Sequence, residues 1–131
     1  MKTQTAQQTS GNSLTGKKVV ILGGSAGIGL ATAQAAAAAG AQLVIVSRSI
    51  DKVNSALKSL PATATGLTAD LSDEEQIKAL FAKIGGFDHL VYTAGENLKL
   101  SNVADTNMDN ARRFFYTRYW GAFTAVKHAA S

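Results

Sequence analysis

The 131-residue chain contains no cysteine, a single proline and only two histidines. Without cysteine there are no disulfides and no thiolate metal sites, and two imidazoles are too few to favour a zinc site. No apolar run approaches the ~20 residues that a membrane-spanning helix needs. The first residues are polar, which does not resemble a secretory signal. We therefore expect a cytoplasmic protein with no metal site and no membrane partner.

The charge balance is modest, with a formal net charge of +4. Lysines and arginines are spread along the chain, and no nucleic-acid recognition motif accompanies them. Binding of a negatively charged dinucleotide phosphate would explain part of the excess of positively charged residues. The arginines at 112, 113 and 118 are the residues that would support binding of nucleic acid, which is the weakest of the functional hypotheses. We therefore expect no nucleic-acid partner.

The length fits a single domain, which can bury roughly two-thirds of its unfolded surface. Residues 1–13 are rich in Thr, Gln and Ser and have no hydrophobic period, so they predict a disordered tail ahead of a folded domain over 14–131. Short apolar runs then alternate with helical patterns, which is typical of a parallel sheet with crossover helices. The predicted strands are 19–22, 42–46, 64–69 and 87–93, and the predicted helices are 27–39, 51–60, 73–83 and 105–130.

The most informative stretch runs from the first strand into the first helix. Four apolar residues, 19–22, precede four glycines within seven residues, and an alanine-rich helix pattern follows. Gly23 allows a sharp turn, Gly27 allows an anion to approach the backbone, and Gly29 allows the helix to pack closely on the sheet. A flexible linker is the alternative, but linkers do not separate a β-branched run from a helix. The predicted pyrophosphate contacts are Gly23, Ser25, Ala26, Gly27, Ile28 and Gly29.

The residues after the second strand determine which nucleotide is expected. An acidic residue about 20 positions past the glycines would accept hydrogen bonds from a ribose 2′-hydroxyl and select NAD. The chain has Ser47, Arg48 and Ser49 there instead. A guanidinium and two hydroxyls suit a 2′-phosphate, and one charge-assisted hydrogen bond contributes about 1.5–3 kcal/mol. We therefore predict NADP(H), with a solvated arginine at a strand end as the alternative.

Two further strand ends are predicted to face the same ligand. Ligands of open α/β sheets bind at the carboxyl ends of the strands. Thr93, Ala94 and Gly95 occupy that end of the fourth strand, where small residues let the backbone pass close to a ribose or nicotinamide. Asp70 follows the third strand and either accepts from the adenine amino group or, like Ser72, caps the next helix.

The predicted last helix, 105–130, carries bulky residues nearly all round. Such a pattern favours burial on more than one side, by the sheet and by another layer or subunit.

Taken together, these motifs resemble the short-chain dehydrogenase/reductase family from about Leu14 to the end. The resemblance implies an α/β fold, a Rossmann-type doubly wound parallel sheet of order 3-2-1-4 that stops after the fourth strand and its following helix. It also implies NADP(H)-dependent hydride transfer between carbonyl and alcohol. The family's cofactor contacts fall on the glycine stretch, Arg48, the Asp70-Leu71 pair and the Ala94-Gly95 pair.

Some positions depart from the family pattern. Leu22 replaces a threonine, and Tyr92-Thr93 replaces two asparagines. The family's active-site asparagine, which holds a water in a proton relay, falls on Arg118. Arg118 is the single candidate catalytic residue, either stabilising a negative charge or serving as a surface or interface arginine.

The family's catalytic serine and Tyr-x-x-x-Lys are expected beyond residue 131. No tyrosine in this chain has a lysine four residues later. Two hypotheses follow. The chain is the cofactor-binding part of an NADP(H)-dependent oxidoreductase and is inactive alone, or it is a non-catalytic NADP-binding or protein-interaction module. A homo-oligomer or a complementing chain is expected to bind through 105–130 and the exposed edge of the fourth strand.

Overall fold

The computed structural model describes residues 13–97 and 100–131. The predicted disordered tail therefore lies outside the described residues, apart from Ser13. The described chain contains four strands: β1 (Lys18–Leu22), β2 (Gln42–Ser47), β3 (Thr65–Thr68) and β4 (His89–Tyr92). Its α-helices are α1 (Gly27–Ala38), α2 (Ile50–Leu57), α3 (Glu74–Ile84), α4 (Met108–Phe115) and α5 (Ala122–Ala129).

The strands form one parallel sheet of order β3-β2-β1-β4. Val20 pairs with Val44 on one side and with Leu90 on the other, so β1 is a central strand. The chain proceeds outward from β1 to β3 and then returns to place β4 on the opposite side of β1. This reversal confirms the predicted topology and creates a crevice beyond the carboxyl end of β1.

Two hydrophobic layers cover the two faces of the sheet. Val20 and Leu22 belong to a buried cluster with residues of α3, including Ile77. Val19 and Ile21 belong to a second cluster, with Ala33 of α1. Because successive side chains of a strand point to opposite faces, a strand covered on both sides is apolar at every position. This explains the unbroken apolar run at β1.

The helix starts follow local capping chemistry. The Ser49 side chain accepts a hydrogen bond from the Lys52 backbone N–H and begins α2. Asp73 accepts from the N–H groups of Glu75 and Gln76 and begins α3. Carboxylates and hydroxyls at this position satisfy N–H groups that have no partner within the helix.

The long helix predicted over 105–130 is confirmed from Met108 to Ala129, but a π-helical turn interrupts its α-helical geometry. The segment contains a 3₁₀ turn at Val103–Asp105, then α4, a π-helical turn at Tyr116–Gly121, and α5. Helix α4 starts late because the Asn107 side chain accepts from the Asn110 N–H and caps it. The π turn coincides with a side-chain donor, the Tyr92 hydroxyl, that hydrogen-bonds a carbonyl of the turn. Insertion of a side chain into the helix ladder is a known cause of such irregularity.

Other boundaries differ by a few residues. Helix α2 ends at Leu57 instead of 60, and β4 spans four residues instead of the predicted 87–93. Both predicted spans included flanking turn residues. The apolar pattern in the sequence continues past the last residue whose backbone makes the hydrogen bonds of the helix or the sheet. Within 13–97 and 100–131, no helix has the length and apolar content to cross a membrane.

Candidate functional site

A cleft of about 390 Å³ lies at the carboxyl ends of the strands. Most of the predicted cofactor contacts line it together, although they come from four separate segments of the chain. Gly27, Ile28 and Gly29 lie outside the lining, in the first turn of α1 next to it. The predicted residues that line the cleft are Gly23, Ser25, Ala26, Ser47, Arg48, Ser49, Asp70, Leu71, Thr93, Ala94 and Gly95.

The glycine stretch has the backbone geometry of a tight strand-to-helix turn. Gly23 has φ +97°, and a Cβ there would lie 2.6 Å from the Ala94 nitrogen. A Cβ on Gly29 would collide with the carbonyl oxygen of Gly23. Gly27 has φ +55° and faces open space, because no atom lies within 4 Å of the point that a Cβ would occupy. Gly23 and Gly29 are therefore glycines because of packing, whereas Gly27 leaves room beside the backbone.

The start of α1 is suited to an anion. Its N-cap, Ala26, supplies no side-chain hydrogen bond, and the first turn holds no acidic residue. The first N–H groups of a helix have no intrahelical acceptor, and the helix dipole makes this end positive. A phosphate placed here would receive hydrogen bonds from the backbone. Thr93 braces the turn, because its Oγ1 donates to the Gly23 carbonyl oxygen at 3.2 Å.

Two positively charged side chains lie at the cleft, one directly after β2 and one in α2. Arg48 is exposed, and its Nη1 lies 3.6 Å from Glu96 Oε1. Lys52 also lines the cleft, which sequence reasoning missed. Its spacing was the available signal: it lies four residues after Arg48, in the first turn of α2. Ser49 combines its cleft position with the capping of α2.

Asp70 is held in a turn at the end of β3. Its Oδ1 accepts from Ser72 N at 2.9 Å and from Ser72 Oγ at 2.6 Å. These hydrogen bonds stabilise the carboxylate and lower the pKa of Asp70. The alternative that Asp70 or Ser72 caps the following helix is wrong, because Asp73 does so. The adenine contact stays a prediction.

Tyr92 ends β4, is partly buried and packs against the hydrophobic cluster that includes Leu22 and Ile77, as does the cleft residue Ala94. Its hydroxyl donates to the carbonyl oxygen of Thr117, in the π turn. Burial raises the pKa of Tyr92 to about 12, so the phenol stays neutral at physiological pH. This bond holds Thr117 against the sheet, and Thr117 itself lines the cleft.

Arg118 borders the cleft without lining it. Its Nη2 donates to the Glu96 carbonyl oxygen, and its guanidinium lies 4.7 Å from the centre of the Phe114 ring. A Cβ on Gly95 would lie 2.8 Å from Arg118 Cγ. Arg118 therefore holds the chain segment after β4, and its predicted catalytic role stays a prediction.

Glu96 and Asn97 also line the cleft, at the start of the loop over 96–105 that the sequence predicts at this edge, within reach of a substrate. They directly follow the predicted Thr93-Ala94-Gly95 segment, so their position along the chain was the available signal. Thr117 lines the cleft too and was missed from the sequence. Thr117 lies 20 residues or more along the chain from the other lining residues, and its carbonyl oxygen accepts the hydrogen bond from Tyr92. Within the described part of the chain, no group of three or more His, Cys, Asp or Glu residues could hold a metal ion.

The family model for short chain dehydrogenases matches residues 17–131. The chain belongs to the short-chain dehydrogenase family. Enzymes of this family are oxidoreductases that use nicotinamide cofactors, and they commonly oligomerise. The cleft lies at the carboxyl ends of the strands, where open α/β sheets bind their ligands.

Among similar proteins is a short-chain dehydrogenase/reductase of Gibberella fujikuroi, 32% identical over 129 residues, which cover 87% of this chain and 49% of the relative. A second short-chain dehydrogenase/reductase, from an Acremonium species, is 35% identical, and the matched region covers 99% of this chain and 54% of that relative. The solved structure of a short chain dehydrogenase/reductase family protein superposes with a TM-score of 0.83 at 32% identity, covering 89% of this chain and 49% of that one. The chain spans about half the length of these relatives.

Proposed function

We propose that the chain binds NADP(H) and forms the cofactor-binding part of an oxidoreductase that interconverts carbonyls and alcohols. The proposal rests mainly on one observation: the glycine turn, Arg48 and the Thr93–Gly95 segment border a single cleft. The cofactor supplies the hydride when bound. The chain's own residues would bind and orient it, with the glycine turn at the pyrophosphate and the end of β4 at the nicotinamide ribose.

The charges at the end of β2 support NADP(H) over NAD(H). Arg48 and Lys52 both line the cleft, and β2 ends at Ser47 and is followed directly by Arg48 instead of an acid. A guanidinium matches the geometry of a phosphate and holds its charge at all physiological pH values. We expect the 2′-phosphate to lie against Arg48, with the hydroxyl of Ser47 beside it.

We further propose that these 131 residues alone do not reduce a carbonyl. None of the three tyrosines is followed four residues later by lysine, so the family's usual proton donor is not in this sequence. Hydride transfer to a carbonyl needs a proton for the oxygen. Arg118 does not replace that donor, because a guanidinium holds its protons throughout the physiological range.

The test is a calorimetric titration of the purified chain with NADPH and, separately, with NADH. We expect NADPH to bind about ten- to a hundredfold more tightly, and Arg48→Ala to remove most of this preference. Arg112→Ala is the matched control, because Arg112 is exposed on α4, pairs with Asp109 and does not line the cleft. Equal binding of the two nucleotides would contradict the choice of NADP(H), and binding of neither would contradict the proposal as a whole.

A non-catalytic interaction module is a second candidate, favoured by one observation. Large aromatic side chains lie exposed along the segment from α4 to α5, including Tyr119, Trp120 and Phe123. Exposed apolar patches of this kind commonly mark binding surfaces. Association of the chain without nucleotide binding would favour this candidate.

A further inference from the structure

Glu96 lies across the cleft from the cation that is assigned to the 2′-phosphate. Arg48 follows β2 and Glu96 follows β4, and these two strands lie on opposite sides of β1. The ion pair between Arg48 Nη1 and Glu96 Oε1, 3.6 Å long, therefore spans the region in front of the glycine turn. Both residues line the cleft.

The backbone of Glu96 is held in place independently of this ion pair. Arg118 donates to the Glu96 carbonyl oxygen from the π turn. Gly95, the preceding residue, lies so close to Arg118 that a Cβ would be 2.8 Å from Arg118 Cζ. Arg118 therefore holds the backbone of Glu96 beside the cleft by a contact that does not involve Arg48.

We infer that Glu96 is a specificity-determining residue that competes with the 2′-phosphate of NADP(H) for Arg48. The inference rests on the proposed function. A guanidinium engaged by a carboxylate has fewer N–H groups to offer a phosphate, and the carboxylate repels the incoming phosphate as a like charge. Binding of NADP(H) therefore exchanges the Glu96 carboxylate for the phosphate at Arg48. Glu96 lowers the preference for NADP(H) that Arg48 alone would give.

The size of the effect follows from the exposure of the pair. The side chains of Arg48 and Glu96 are 69% and 42% exposed, so water and salt weaken their attraction. An exposed ion pair of this kind corresponds to an affinity change of about two- to fivefold. Glu96→Gln keeps the size of the side chain and removes its charge. We expect it to tighten NADPH binding by about that factor and to change NADH binding less.

The experiment measures NADPH and NADH affinities of the full chain by calorimetry for four proteins: the wild type, Glu96→Gln, Arg48→Ala and the double variant. We expect the gain from Glu96→Gln to disappear when Arg48 is already alanine. Glu75→Gln is the matched control, because it makes the same charge change on α3, outside the cleft lining. Glu96→Ala removes the same carboxylate by truncation and must shift NADPH affinity in the same direction.

The possible results distinguish a failure of the inference about Glu96 from a failure of the proposed function. If the wild type binds NADPH and Glu96→Gln binds it equally or more weakly, the inference is overturned while the proposed function stands. A gain that persists in the Arg48→Ala background also overturns it, because Glu96 would then act without Arg48. If the wild type binds neither nucleotide, the proposed function fails and the inference fails with it.

Discussion

At the scale of single residues, packing explains why the glycine stretch has its particular spacing. Gly23 and Gly29 face each other across the strand-to-helix turn, with no room for a Cβ on Gly29 beside the Gly23 carbonyl. Gly27 has open space instead, and its φ of +55° is favourable for glycine. The same sequence motif thus contains two kinds of glycine, one required by the protein's own contacts and one that leaves space for a ligand.

Gly29→Ala tests the packing role. The added methyl would meet backbone atoms of Gly23, which cannot rotate away as a side chain can, so we expect a loss of about 1–3 kcal/mol in the free energy of unfolding. Urea denaturation measures it. Gly86→Ala is the control, because nothing lies within 4 Å of its Cβ position and its φ is not positive. An equal loss in both variants would contradict the packing argument.

Tyr92 gives a prediction at alkaline pH. Burial raises the pKa of its phenol from 10.0 to about 12. A raised pKa means that the folded state favours the neutral phenol. Its contribution to stability is therefore complete below pH ~10 and is lost as the pH rises through about 12. An ultraviolet titration of tyrosinate should show a late phase that Tyr92→Phe removes and that Tyr119→Phe retains. A late phase that survives in Tyr92→Phe would contradict the assignment.

At the scale of secondary-structure elements, α5 is tied to α3 by charge. Glu74 Oε1 in the first turn of α3 lies 2.7 Å from Lys127 Nζ and 2.9 Å from His128 Nε2, both in the last turn of α5. The Glu74 carboxylate lies near a helix start and the Lys127 ammonium near a helix end, so each of these two charges complements a helix dipole. This cluster fixes the end of α5 on the face of the sheet that α3 covers.

The hydrogen bonds from Lys127 and His128 lower the pKa of Glu74 from 4.5 to about 2. Because folding lowers this pKa, the ionised Glu74 carboxylate stabilises the folded state. Its contribution to the free energy of unfolding is complete above pH 4.5 and is lost as the pH falls through about 2. We therefore expect Glu74→Gln to lower the melting temperature at neutral pH and to have little effect near pH 2. The control is Glu75→Gln, one residue along the same helix. A difference between Glu74→Gln and the wild type that does not depend on pH would exclude the ionic explanation.

The elements differ in how far the sequence predicts them. The glycine turn and the strands depend on neighbouring residues, so a local pattern was sufficient to predict them. The π turn accepts a hydrogen bond from Tyr92, which is 25 residues away from Thr117 in sequence, and no pattern within the last helix indicates this contact. The pairing of Arg48 with Glu96 likewise depends on the strand order, which brings the ends of β2 and β4 to the same cleft.

At the scale of the whole molecule, the described chain leaves two features uncovered. Strand β4 is an edge of the sheet, paired only with β1. The side chains of Trp120 and Phe123, on the segment that follows, are 57% and 62% exposed. An unpaired strand edge and an apolar surface both favour association. The predicted burial of this segment on several sides therefore requires another chain or further residues.

We accordingly expect the purified chain to self-associate at micromolar concentrations. Replacing Trp120 and Phe123 by glutamine should reduce the association constant at least tenfold, because two buried aromatic side chains contribute about 1.5–3 kcal/mol each. Sedimentation velocity measures this. Val103→Gln is the control, because Val103 is exposed but lies apart from the aromatic segment, in the 3₁₀ turn. A monomeric wild-type chain would contradict the prediction.

The positions of the cleft residues along the chain have a consequence for the evolution of such a protein. Every residue lining the cleft except Thr117 lies at or before Asn97. The cleft is thus encoded almost entirely by one continuous stretch, residues 23–97. The chain beyond Asn97 can be exchanged, by recombination or by gene fusion, while nearly all of the residues that line the cleft are kept. Such modularity lets the segment that forms the cleft be inherited unchanged while the rest of the protein evolves separately.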